Sequence, residues 1–220
     1  MPGRRARVLR GVVLGGAALA RAAAASYPLT WRYWCLTWGA TPDEVAMNLP
    51  GDELLPDAAV VSTRAIEIGA SPAEVWPWLA QMGSGRAGAY SYDWIENLLG
   101  LDMHSADVIL PQFQDIHAGD EFPLGRRGGR LRVEVCEPGR ALVLRRTTGD
   151  WVWIATLLPD EGLTRLVSRN RIAPPRGHTF SRVLCPLVAE PGSLVMERKT
   201  LLGIRDRAQR LARLHPRVPA

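Results

Sequence analysis

WVWIATLL (151–158), PDEG (159–162) and TRLVSRNRI (164–172) decide the fold. The outer two runs are rich in β-branched and aromatic residues, and the middle one is turn chemistry, so they read as consecutive strands. Alternation puts Trp151 and Trp153 on one face of the first strand. It puts Arg169 and Arg171 together on the second, with Arg165 four residues earlier. Working outward, residues 121–124, 130–136 and 141–146 repeat the pattern, with breaks at Glu137-Pro138-Gly139 and Thr148-Gly149-Asp150. Strands joined by such short turns form an antiparallel meander. VVSTRAIEI (60–68) is an earlier strand, with Ser62, Arg64, Ile66 and Ile68 on one face.

The remaining elements are helical. Thr41-Pro42-Asp43-Glu44 is a capping box opening a short helix that Leu49-Pro50-Gly51-Asp52 breaks, and an extended stretch follows to Pro56. Ser71-Pro72-Ala73-Glu74 opens a second helix running to about Met82, kinked by Pro77. The glycines from Gly83 to Gly88 imply a flexible loop; it lacks the order of a P-loop. DWIENLL (93–99) spaces Trp94, Ile95, Leu98 and Leu99 as a helical apolar face, with Gly100 as the stop. Pro174-Pro175-Arg176-Gly177 ends the sheet. After a loop, residues 192–214 carry the longest helical pattern, a stripe through Leu194, Leu201, Ile204, Ala208 and Leu211. The expected fold is α+β: a curved antiparallel sheet around a long C-terminal helix, with two short helices after the first strand. A cavity between sheet and helix is the expected by-product.

Composition narrows the function classes. The chain has 220 residues, enough for one domain with a core of its own. Its 3 Cys are far apart and its 4 His form no HxxxH or HxH pair, so neither a disulfide framework nor a metal site is expected. No cofactor is expected. The net charge is +5. Residues 1–40 hold +6 (six Arg, no acid) and 197–220 hold +5 (seven bases, two acids), which leaves −6 for residues 41–196. An acidic globular middle argues against nucleic acid as a partner.

Residues 1–37 read as an extension, and 38–215 as the ligand-binding domain. Arg4, Arg5, Arg7 and Arg10 precede a charge-free run to Ala20, then Arg21 and four alanines. The run resembles a signal peptide spoiled by Arg21, and it is short for a membrane span. Trp31, Tyr33 and Trp34 with Arg32 are interfacial in composition. A membrane-surface helix, a cleaved signal and a bland extension all stay open. The expected location is the cytoplasm, with membrane association through residues 1–37 and secretion as the alternatives. Oligomeric state is not readable.

Several words in this order resemble the START/Bet v1-like (SRPBCC, polyketide cyclase/dehydrase-like) helix-grip superfamily, in an actinobacterial-type branch of unassigned function. They include Trp38-Gly39-Ala40-Thr41-Pro42, Leu49-Pro50-Gly51-Asp52-Glu53-Leu54 and Ser62-Thr63-Arg64-Ala65-Ile66. Others are Val75-Trp76-Pro77-Trp78-Leu79, Tyr90 through Leu98, His104-Ser105-Ala106-Asp107 and Met196-Glu197-Arg198-Lys199. The likeness spans about residues 38–210. It implies an apolar ligand cavity with no obligatory cofactor, and says little about a reaction.

The candidate site residues follow from residue chemistry. Trp76, Trp94, Trp151 and Trp153 are candidates for lining the cavity, with core packing as the plainer role. Tyr90 and Tyr92 share a face, and the Tyr92 phenol could orient a polar head group. Asp93 is the expected cap of its helix, and Glu96 and Asn97, one turn on, could as easily be solvated as belong to the site. His104, between Asp102 and Asp107, is the first choice for a reactive group, and it pairs with Tyr92 in an acid–base reading. Arg169 would hold a carboxylate if its face is inward; an outward, solvated face is the alternative. The function these residues support is binding of a hydrophobic or amphipathic small molecule of lipid, polyketide or isoprenoid type. The alternatives are a cyclase, dehydratase or hydrolase using Tyr92 and His104, and a membrane-associated accessory protein.

Overall fold

The computed structural model describes residues 31–125, 128–174 and 179–214, with side chains from residue 188 onward in the last segment. Six strands form one antiparallel sheet: β1 (Val60–Ile68), β2 (Glu121–Pro123), β3 (Arg130–Glu137), β4 (Ala141–Arg146), β5 (Trp151–Asp160) and β6 (Leu163–Ile172). Their spatial order is β1-β6-β5-β4-β3-β2. The last five strands are thus a meander, and β1 returns to pair with β6, Val60 opposite Ile172 and Ile68 opposite Thr164. The helices are α1 (Arg32–Thr37), α2 (Pro42–Ala46), α3 (Pro72–Ala80), α4 (Asp93–Leu98) and α5 (Thr179–Leu214). This is the helix-grip architecture expected from the sequence.

Alternation sorts the core into two layers. Ile66, Ile68, Leu142, Leu144, Ala155, Leu157 and Leu166 face α5 and pack with its Leu201, Ile204 and Ala208. Ala65, Val143, Val152, Ile154 and Val167 face the other way, under Leu49, Leu54 and Leu55. That second face is covered by residues 39–56, not by solvent. The two capping boxes form as read: Thr41 N donates to Glu44 Oε2 at 2.7 Å, and Ser71 N to Glu74 Oε2 at 2.7 Å.

Three differences from the sequence reading matter. The long helix starts at Thr179 rather than 192 and runs through Pro186 and Pro191. Around Pro191 the helix is held by side-chain contacts: Glu190 pairs with Arg32 at 2.9 Å, and Ser193 donates back to Glu190 O. Second, α1 lies N-terminal to the expected boundary at 37/38, yet it packs on β1 and α5. Third, the glycine loop is tied down. Gly83 and Gly88 bridge each other, and Arg86 donates to Ala80 O, Met82 O and Phe113 O. Gly203 serves close packing: a Cβ there would run into Tyr90 O and sit 2.8 Å from Tyr90 Cβ.

The orientation of α4 is inverted relative to its apolar spacing. Trp94, Leu98 and Leu99 are 70%, 80% and 70% exposed, while Glu96 is buried. The polar residues decide this. Asp93 accepts from Ser105 N at 2.8 Å and Ser105 Oγ at 2.6 Å, instead of capping its own helix. Asn97 donates to Met103 O and accepts from Met103 N. Residues 93, 96 and 97 share one helical side. Anchoring Asp93 and Asn97 to the 101–105 loop therefore turns Glu96 inward and leaves Trp94, Leu98 and Leu99 outside. Gly125, at φ 70°, abuts the backbone of Gly100 and Leu101, seating the β2–β3 turn on the end of α4.

Candidate functional site

Between the inner face of the sheet and α5 lies a cavity of about 960 Å³. Phe122, Leu131, Leu144 and Trp153 line it from the sheet, Met82 and Met103 from the connections, and Met196 and Thr200 from α5. Its size lies in the usual range for small-molecule sites, and its walls are mainly apolar.

The polar groups of the cavity form one connected network. Arg64 is wholly buried on β1. Its guanidinium donates to Cys35 O at 2.8 Å, to Ser193 Oγ at 3.1 Å and to the Glu197 carboxylate. Glu197 also accepts from Ser168 Oγ at 2.5 Å and from Asn170 Nδ2 at 3.0 Å. The two tryptophans of β5 join the network. Trp151 Nε1 donates to Asn170 Oδ1 at 2.8 Å, and Trp153 Nε1 to Ser168 Oγ at 2.9 Å. The register places Trp153 opposite Asn170, so the indoles lie over the polar inner positions of β6. Each indole thus turns an apolar body to the cavity while its one N–H is satisfied.

Glu96 is the exception. It also lines the cavity, and it is only 6% exposed. Its Oε2 has no hydrogen-bond partner among the described residues. Burial, with the Asp93 charge as a smaller cause, pushes its carboxyl up to about 7. The folded state therefore holds a proton that the unfolded chain gives up near 4.5. The contribution of Glu96 to stability is full below about pH 4.5, falls as pH rises towards 7, and is flat beyond. The whole effect is about 3 kcal/mol. Glu96→Gln is expected to raise the urea midpoint at pH 8 and leave it unchanged at pH 4. Equal shifts at both pH values would contradict this ionisation.

The residues singled out from sequence separate into two groups. Trp151 and Trp153 line the cavity. The others do not. Trp76 packs partly buried against the main core. Tyr90 is buried, donates its hydroxyl to Trp78 O at 2.9 Å and packs under Arg207. Trp94 is exposed because α4 is inverted. His104 projects into solvent, its side chain 76% exposed, 3.3 Å from Asp102. Tyr92 lies in a separate groove of about 730 Å³, between α1 and α5, with Trp31, Trp34, Leu194 and Lys199. Tyr92 and His104 do not meet in one cavity, which removes the geometry of the acid–base pair.

Arg169 is corrected too. Its face points away from the cavity, yet it is not solvated. Nε donates to Thr63 Oγ1 at 2.9 Å, Nη1 to Met47 O and Asp52 Oδ2, and Nη2 to Glu44 O and Val45 O. All five donors are used, so Arg169 is the clasp that holds α2 and the 39–56 segment to the sheet. Arg165 and Arg171 act beside it, pairing with Glu44 at 2.7 Å and Asp52 at 3.1 Å.

Among the described residues no helix is long and apolar enough to cross a membrane, and no group of three metal-ligating side chains gathers. The reading of residues 1–30 as a signal or anchor lies outside the described residues.

No family model matches the chain, and no curated protein matches it. Solved structures resemble it loosely. A Polyketide_cyc-like protein from Corynebacterium glutamicum is 20% identical, covering 73% of this chain and 97% of its own, with a TM-score of 0.38. A protein from Chromobacterium violaceum is 14% identical, covering 68% and 98%, with a TM-score of 0.43. The Aha1 dimer from Colwellia psychrerythraea is 14% identical, covering 68% and 96%, with a TM-score of 0.39. Likeness at this level carries no function across. The helix-grip fold rests on the element order and sheet topology themselves.

Proposed function

We propose that the protein binds a hydrophobic or amphipathic small molecule in the cavity between the sheet and α5. The observation that carries this is the 960 Å³ apolar cavity, floored by two indoles whose N–H groups are already spent within the protein. A mainly apolar concave space of this size between a sheet and a helix has the form of a small-molecule site. The oxygens of Glu197 are likewise committed inward, to Arg64, Ser168 and Asn170, which favours an uncharged guest over a cationic one.

The hydrocarbon fluorophore diphenylhexatriene tests the reading. Wild-type protein is expected to take it up and make it fluoresce. Ala89 lines the cavity, and Ala89→Trp fills part of it. That variant is expected to bind at least about tenfold more weakly, the scale of a binding loss of about 1.4 kcal/mol. Equal uptake by both proteins, or none by the wild type, would overturn the reading.

A further inference from the structure

Four carboxylates stand on or beside the cavity with their bonds filled. Asp150 accepts from Thr148 Oγ1 at 2.5 Å and lies 3.4 Å from Arg146. Glu190 is paired by Arg32, Glu197 by Arg64, and Asp93 by Ser105. Glu96 differs from all of them. It is buried on a cavity wall, and its Oε2, closed off from solvent, meets no donor or acceptor among the described residues. A buried polar group without a partner costs stability, and this one persists because the loop bonds of Asp93 and Asn97 force the helix to present it. The two arginines of the polar network are engaged elsewhere: Arg32 with Glu190, and Arg64 with Glu197 and Cys35 O.

Resting on the binding function above, we infer that the Glu96 carboxyl is the polar anchor of the cavity, donating a hydrogen bond to an uncharged carbonyl oxygen of an otherwise apolar ligand. A protonated carboxyl has one O–H to give, and a ketone, ester or lactone oxygen is the acceptor that brings no charge into an apolar chamber. An ammonium ligand would bring a second charge into the apolar chamber and would require the carboxylate ionised beside Asp93. The ligand class is therefore narrower than an oily molecule: an apolar body with a carbonyl.

Two fluorophores and two variants separate this inference from the reading beneath it. Diphenylhexatriene has no polar atom; prodan is an uncharged aryl ketone. Glu96→Gln keeps a donor that does not titrate, and Glu96→Met keeps length without a donor. Both remove a carboxyl with unfilled bonding capacity, so both are expected to fold. All three proteins should bind diphenylhexatriene alike. At pH 5.5 the Met variant should bind prodan about five- to tenfold more weakly than the wild type, with bluer prodan emission, and the Gln variant should match the wild type. Raising the pH to 8.5 should weaken prodan binding by the wild type alone, by at least about threefold. Uptake of diphenylhexatriene with prodan affinity equal in all three proteins, or wild-type affinity that rises with pH, overturns the Glu96 anchor and leaves the cavity reading standing. Failure of the wild type to take up diphenylhexatriene overturns both.

Discussion

Arg64→Met is expected to lower stability by about 3–5 kcal/mol, read as a large fall in the urea midpoint. The guanidinium is wholly buried and joins three elements: β1, the carbonyl at Cys35 in α1, and Ser193 and Glu197 on α5. Its removal strands the Glu197 carboxylate with only Ser168 and Asn170 as donors. The stranded charge, more than any lost attraction, sets the size of the loss. Two consequences follow. The double variant Arg64→Met/Glu197→Met should recover most of the stability, because an apolar pair of similar size needs no compensation. It should also make the cavity less polar and bind diphenylhexatriene at least as well as the wild type. A single-variant loss under about 1 kcal/mol would show that the pair is more hydrated than its burial implies.

Arg169→Ala is the second large effect, also about 3–5 kcal/mol, on the opposite face of the sheet. Each of its five N–H donors has a partner, and three of these are carbonyls at the end of α2 and just after it. Without them those carbonyls lose their cap, and Asp52 keeps only Arg171 as a cationic partner. Lysine cannot replace the planar fork, so Arg169→Lys should recover little. Hydrogen exchange separates this from a general loss of stability. Amides of residues 39–56 should lose protection first, ahead of β4 and β5. Uniform loss across the sheet would mean that the segment and the core unfold together.

The two arginines also show how far the sequence could be read. Alternation in residues 60–68 puts Arg64 on the face of Ile66 and Ile68, and the sequence reading goes no further than that. Its partner lies 133 residues away, and no local pattern reveals it. Arg169 was assigned to a shared face with Arg171, correctly, but what covers that face depends on how residues 39–56 fold back. The strands, both capping boxes and the long helix were legible because their causes are local: β-branched alternation, a Thr or Ser three residues before Glu, and a three–four stripe. Trp151 and Trp153 were legible because two residues two apart on a strand share a face, and one correct face assignment fixes both.

The misplaced candidates have physical reasons of the same kind. His104 stands next to Asp102 in sequence, and that proximity says nothing about burial; both side chains meet solvent. Glu96 could be read as solvated because Trp94, Leu98 and Leu99 form the better apolar face. The bonds from Asp93 to Ser105 and from Asn97 to Met103 decided the rotation instead. Polar side chains that must satisfy a neighbouring loop's backbone can outweigh an apolar stripe on a six-residue helix.

Native mass spectrometry of the full chain, purified from its own host, tests the central claim most directly. The wild type is expected to carry one hydrophobic small molecule per chain that organic solvent extracts, and Ala89→Trp is expected to run at its bare polypeptide mass. Bare mass for both proteins, from cells in which the protein is abundant, would contradict a cavity built to hold a guest.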